Sequence, residues 1–171
     1  MRTKSLAAVV VVVGVLVGGY FRFLHKWPTP PAGATAPEIS AVDLDGRPMT
    51  LSEFRGRVVV LTFWGYWCHT CRAEIPFKKE LAAKFAGQPV VMLGVNSDGD
   101  REEAGRRAKG DGLPWRSFWN DGRFAGFATE WGVRSWPATF ILDRRGVIRH
   151  AKVGPAEIAA KVAELLAESG G

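Results

Sequence analysis

Apolar and polar positions divide the chain into three stretches of different character. Residues 6–21 form a run of sixteen without charge, preceded by Arg2 and Lys4. Phe23 and Leu24 carry it past Arg22, close to the roughly 20 residues that cross a bilayer. Residues 28–37 are rich in proline and small side chains, a composition that favours extended backbone over a packed element. From Glu38 the periodicity becomes that of a folded domain. Residues 39–44 and 49–51 flank Asp45-Gly46, a hairpin signature. Residues 58–64 are almost all β-branched or aromatic, as in a central strand buried on both faces. Residues 72–85 place Ile75, Leu81, Ala82 and Phe85 at helical spacing and stop before Gly87. Residues 90–95 predict a second buried strand, and Asp100 with Glu103 a capping box that opens a polar helix. Residues 118–120 are expected as a short strand and 124–131 as a short helix. Residues 139–142 and 147–149 read as strands around the turn 143–146. Pro155 opens a terminal helix with Ile158, Val162, Leu165 and Leu166 on one face. Strands alternating with helices, then a hairpin and a helix, predict one mixed α/β domain over residues 38–171.

Charge sharpens the reading of the first stretch. The formal net charge is +6, yet Arg2, Lys4, Arg22 and Lys26 all flank the apolar run. From Trp27 onward, 19 Lys+Arg face 17 Asp+Glu. A footprint for phosphate clusters on a folded face, so nucleic acid is not an expected partner. Tyr20, Phe21, Phe23 and Trp27 add an interfacial aromatic belt. Residues 1–27 are therefore expected to be an N-terminal membrane anchor whose transmembrane helix covers residues 6–24, and residues 28–37 a linker. A cleaved secretory signal is the alternative, with small-residue sites at 32–34 and 34–36, although these lie well past the run. The N-terminal position of the segment, with the chemistry below, places the domain on the extracytoplasmic side.

The chain has two cysteines, Cys68 and Cys71, in one C-x-x-C. A disulfide scaffold would spread more of them along the chain. A structural zinc site takes four ligands and no second pair follows, so neither metal nor another cofactor is expected. The pair stands after a buried strand and before a helix. That puts Cys68 at a helix N-terminus, where unpaired amides and the dipole lower a thiol from its usual pKa of about 8.5. Cys71 follows one turn later on the same face, near enough for a disulfide. Cys68 is the predicted nucleophile and Cys71 the resolving thiol. The competing reading is an inert pair or half a metal site.

The stretch Phe63-Trp64-Gly65-Tyr66-Trp67-Cys68-His69-Thr70-Cys71-Arg72-Ala73-Glu74-Ile75-Pro76 resembles the active-site signature F-W-x-x-W-C-x-x-C-[RK]-x-E-x-P of the TlpA/ResA-like thioredoxin family. The similarity covers most of the domain, from Ala36-Pro37 through residues 43–46 to Pro137 and residues 143–146. It implies a thioredoxin-like fold, a central mixed β-sheet flanked by helices. It also implies dithiol–disulfide exchange with protein partners, often reductive and often serving cytochrome maturation. Apocytochromes would then be among the clients, and a membrane electron donor would recharge a reductase. Glu74, one turn beyond Cys71, matches a family glutamate that influences cysteine protonation, while Thr62 stands in place of thioredoxin's buried aspartate. Glu74 is thus a candidate catalytic base for Cys71, against the alternative that it solvates an exposed face. Pro137 matches the family's cis-proline facing the cysteines, beside which an extended substrate would bind by strand addition. Trp136 stands where a small or β-branched residue is usual. It either reshapes the substrate groove or packs as a lid.

His69 lies between the cysteines. Protonated, it would stabilise the Cys68 thiolate; equally, it is an exposed contact for a partner. Of the seven tryptophans, Trp64 and Trp67 are placed at the site, and Trp115, Trp119 and Trp131 are read as packing. The candidates are catalytic Cys68, Cys71 and Glu74, with Trp67, His69, Trp136 and Pro137 contacting substrate. Two other functions compete with thiol–disulfide exchange. A peroxiredoxin-like peroxide reductase would need Pro-x-x-x-Thr/Ser-x-x-Cys, which is absent here. A non-catalytic client-binding module often loses one cysteine, and here both are present.

Overall fold

The apolar run at residues 58–64 occupies the centre of a five-stranded sheet, and all seven of its residues are buried. The computed structural model describes residues 29–122 and 126–168. In chain order, a hairpin of β1 (Ser40–Val42) and β2 (Pro48–Thr50) leads through a 3-10 turn (Leu51–Phe54) into β3 (Val58–Trp64). Two helical pieces follow, α1 (His69–Ala73) and α2 (Ile75–Lys84), then β4 (Val90–Asn96) and α3 (Arg101–Gly110). After β5 (Arg116–Trp119) come α4 (Phe127–Glu130), β6 (Ala138–Leu142), β7 (Ile148–Ala151) and α5 (Pro155–Ala167). The sheet order is β5-β4-β3-β6-β7; β3, β4 and β5 run parallel, and β6 pairs antiparallel with both β3 and β7. This is the expected α/β arrangement with a central mixed sheet flanked by helices.

Alternation along β3 explains its unbroken hydrophobicity. Val59, Leu61 and Phe63 join Ile39, Met49, Phe118, Trp131 and Phe140 on one face. Val58 and Val60 point the other way, against Leu81 of α2, Phe85 at its C-terminal cap, and Ile158, Val162 and Leu165 of α5. With helices on one side and hairpin, 3-10 turn and α4 on the other, neither face meets water. Thr62 falls on the side of Val58 and Val60, and bonds the Thr139 hydroxyl at 3.0 Å.

The active-site helix starts at His69 with Cys68 as its N-cap, as expected, but it departs from the periodicity reading in being broken at Glu74. Pro76 supplies the reason: it has no N–H to give the Arg72 carbonyl, and its ring crowds that same group. Half of the expected capping box forms. The Asp100 carboxylate accepts from the Glu103 amide at 2.9 Å, but the Glu103 side chain turns to Arg106 at 2.7 Å instead of reaching back. Within the expected linker, Gly33, Ala34 and Ala36 exchange backbone hydrogen bonds with Gly146 and Ile148. An edge strand with unpaired amides is a ready partner for such extended chain. The expected transmembrane helix over residues 6–24 lies outside the described residues, among which no helix is long and apolar enough to cross a membrane.

Candidate active site

Strand β3 delivers the chain to the site and residues 65–68 turn it into α1. Cys68 is the N-cap of α1 in extended conformation, and its sulfur accepts the Cys71 amide at 3.1 Å. The two cysteines are joined as a disulfide, their Cα atoms 5.2 Å apart. Both are buried, Cys68 at 7% and Cys71 at 2% exposure, so the outer sulfur is the one a partner reaches first. The amide donated to Cys68 stabilises negative charge on that sulfur once the disulfide opens.

The loop before Cys68 is held from below by a group the sequence reading passed over. The Asp98 carboxylate, just after β4, accepts from the Tyr66 amide at 2.9 Å, the Trp67 amide at 3.3 Å and the Asn96 side chain at 2.7 Å. Two orphan amides at the strand-to-helix turn thus find one acceptor. The Trp67 indole donates to the Ser97 carbonyl at 3.0 Å. That pose requires Gly65, because a Cβ there would lie 2.5 Å from the Trp67 indole nitrogen. The only forewarning in the sequence was the short polar stretch Asn96-Ser97-Asp98 following a buried strand.

Tyr66 packs in the same cluster as both cysteines, its ring 5.0 Å from that of Trp64. Its hydroxyl donates to Asp111 at 2.8 Å, and the Arg107 guanidinium lies 4.1 Å from the ring centre. Burial first, then the hydrogen bond and charge of Asp111, hold the phenol well above its usual pKa. A phenol raised on folding stabilises the fold fully below its unfolded pKa of about 10, and that contribution is lost as pH climbs beyond it. Urea unfolding between pH 7 and 11 should therefore show a stability loss above pH 10 that is smaller in Tyr66→Phe. An equal loss in both proteins would refute the assignment.

The remaining candidates fall into two groups. Trp136 packs against the cysteine cluster, and its ring meets that of Trp67 edge-on at 5.4 Å. The Trp136–Pro137 peptide is cis, as the resemblance implied. Pro137 immediately precedes β6, the direct neighbour of β3. Trp67, Trp136 and the cysteines are brought together in one cluster. His69 is exposed on the first turn of α1. Glu74, at the break between α1 and α2, pairs with Lys78 at 2.7 Å. Lys78 was not singled out in the sequence, where its position resembles any exposed helical lysine; here it is 4% exposed.

A model of the family described as Redoxin matches residues 31–167. The chain belongs to this family. It is 30% identical over 154 residues to thiol-disulfide oxidoreductase ResA of Geobacillus thermodenitrificans, covering 90% of this chain and 86% of that protein. It is 34% identical over 134 residues to thiol:disulfide interchange protein DsbE of Allochromatium vinosum, covering 77% of this chain and 71% of the relative. A secreted thiol-disulfide isomerase from Corynebacterium glutamicum superposes with a TM-score of 0.67 at 28% identity, over 77% of this chain and 85% of that one. With the cysteine pair at disulfide distance, this Redoxin chain is a thiol–disulfide oxidoreductase of the ResA/TlpA-like group, and its substrates are protein thiols and disulfides.

Proposed function

We propose that the protein works as a reductase of protein disulfides on the outer side of a membrane, with apocytochromes among its clients. The observation that carries the chemistry is the buried Cys68–Cys71 disulfide, with Cys68 capping α1 and accepting the Cys71 amide. In the reduced domain, the Cys68 thiolate attacks one sulfur of a client disulfide. The other client sulfur leaves with the bonding electrons and takes up a proton, and a mixed disulfide remains. Cys71 loses its proton and attacks Cys68, which releases the second client sulfur as a thiol and leaves the domain oxidised. The client gains two electrons and the domain loses them, so a membrane electron donor must restore the dithiol.

Glu74 is proposed as the group that assists proton removal from Cys71, supported by its position one turn along the helix. Trp67, Trp136 and Pro137 are proposed to form the floor and side of the client groove, and His69 to meet the client from the exposed turn. Outward placement is supported by the apolar run at residues 6–21 and by the likeness to a secreted isomerase. Client choice rests on the family resemblance.

The test is the reduction potential of the full chain in glutathione or dithiothreitol buffers. A reductase should equilibrate near or below about −270 mV. A value towards about −120 mV would reverse the direction of electron flow.

A further inference from the structure

Lys78 is a lysine where a core residue belongs. Its side chain is 5% exposed, and the one acceptor given to it among the described residues is Glu74, at 2.7 Å and 16% exposure. Lysines are almost never buried to this degree without a partner. Such a pair adds little stability over apolar residues of similar volume, because desolvating two charges offsets their attraction. Its place in the fold is what gives it meaning. Cys71, Glu74 and Lys78 follow one another at spacings of three and four residues, which keeps them on one side of the α1–α2 unit. Cys71 and Lys78 border the same cavity of about 10 Å³, beneath the disulfide and floored by Thr62, Trp64 and Met92.

The other groups around Cys71 leave this charge pair without a rival. The titratable ones in its cluster are Cys68 and Tyr66, with Asp111 and Arg107 engaged by the Tyr66 hydroxyl and ring. His69 sits on the exposed turn, the Arg72 guanidinium donates to the Tyr66 carbonyl, and Asp98 is taken up by the loop amides. Strand β3 contributes Thr62 and Trp64, β4 contributes Met92 and Leu93, and Trp136 covers the far side; none of these carries charge.

We propose that Lys78 is a positioning residue for the resolving step: its buried ammonium holds the Glu74 carboxylate and stabilises the Cys71 thiolate as it forms. This rests on the dithiol exchange assigned above and extends it to a residue outside the C-x-x-C signature. As Cys71 gives up its proton, negative charge appears beside a largely apolar cavity, and Lys78 is the one charged residue among those that line it. Burial draws the lysine below its ordinary pKa, while the hydrogen bond and charge of Glu74 oppose that drift.

The experiment follows the reduced full chain reacting with 5,5′-dithiobis(2-nitrobenzoate) by stopped flow from pH 5 to 10. The first thiolate leaves when Cys68 attacks; the second leaves when Cys71 resolves the mixed disulfide. Lys78→Met should slow the second phase about tenfold at pH 7 and move its pH midpoint upward, with the first phase nearly unchanged; a tenfold effect is the low end for removing a neighbouring charge. Because a half-buried Glu74 left without its partner would strain Lys78→Met, the uncharged pair Glu74→Gln/Lys78→Met is compared with Glu74→Gln alone, and its midpoint should again lie higher. Second-phase midpoints unmoved by loss of Lys78 in both backgrounds would overturn the proposal. Release of a single thiolate per wild-type chain would overturn the dithiol reading beneath it.

Discussion

Replacing Cys68 by serine (Cys68→Ser) is expected to return the rate of insulin reduction by dithiothreitol to that without protein, because no other thiol is placed to attack first. Cys71 is buried at 2% exposure behind Cys68, and the described structure contains no other cysteine. A hydroxyl at position 68 does not ionise near neutral pH and cannot form the mixed disulfide. Cys71→Ser should fail differently. Its Cys68 still attacks, but release of the client then depends on an external thiol, so when the reduced variant meets insulin after dithiothreitol has been removed, a covalent client adduct builds up. The adduct is detected as a mass increase on non-reducing electrophoresis that dithiothreitol removes. Insulin reduction by Cys68→Ser at a substantial fraction of the wild-type rate would exclude the assigned order of attack. Catalysis surviving in both variants would exclude a dithiol mechanism.

The second large effect is on stability, one residue before the active-site signature leaves the strand. Phe63→Ala is expected to destabilise the domain by about 3–5 kcal/mol, the usual cost of removing a buried phenylalanine ring. Phe63 is fully buried, its ring 5.7 Å from Trp131 and 5.8 Å from Phe140, which are themselves 5.0 Å apart. The three rings join β3, β6 and the end of α4, so a void there cannot close by moving one side chain. Phe63→Leu keeps most of the volume and should cost less than about 1.5 kcal/mol. Thermal unfolding of the reduced protein would show the difference as a drop of roughly 10–20 °C for alanine, set by the size of the domain. A drop of only a few degrees would mean that the aromatic cluster is not the support of the active-site strand.

Much of this molecule could be read from local pattern. The run at residues 58–64 announced a central strand because a strand buried on both faces has no polar position to reveal its alternation. The C-x-x-C between that strand and a helix announced redox chemistry, since the spacing and the helix start serve no other purpose so well. The family likeness anticipated the cis peptide at Pro137, which neither composition nor periodicity discloses. Local pattern failed where one proline outweighed a hydrophobic period, as at the Glu74 break, and where a residue's type disagreed with its surroundings. Lys78 is such a case: at helical spacing it resembles a solvated lysine, and only its burial, on a cavity that Cys71 also lines, shows otherwise. Asp98 is another, because its acceptor role depends on β3 and β4 lying side by side in register, with Trp64 opposite Asn96.

The sequence by itself thus determined the strand–helix order, the identity of the two reacting sulfurs and the class of reaction, because each is encoded within a few consecutive residues. The tertiary structure alone decided which charges surround those sulfurs. Strand pairing brings Asp98 under the loop and Trp136 against Trp67, and helix docking encloses Glu74 and Lys78. Electrostatics at a buried thiol depends on distance through space, and separation along the chain does not report it.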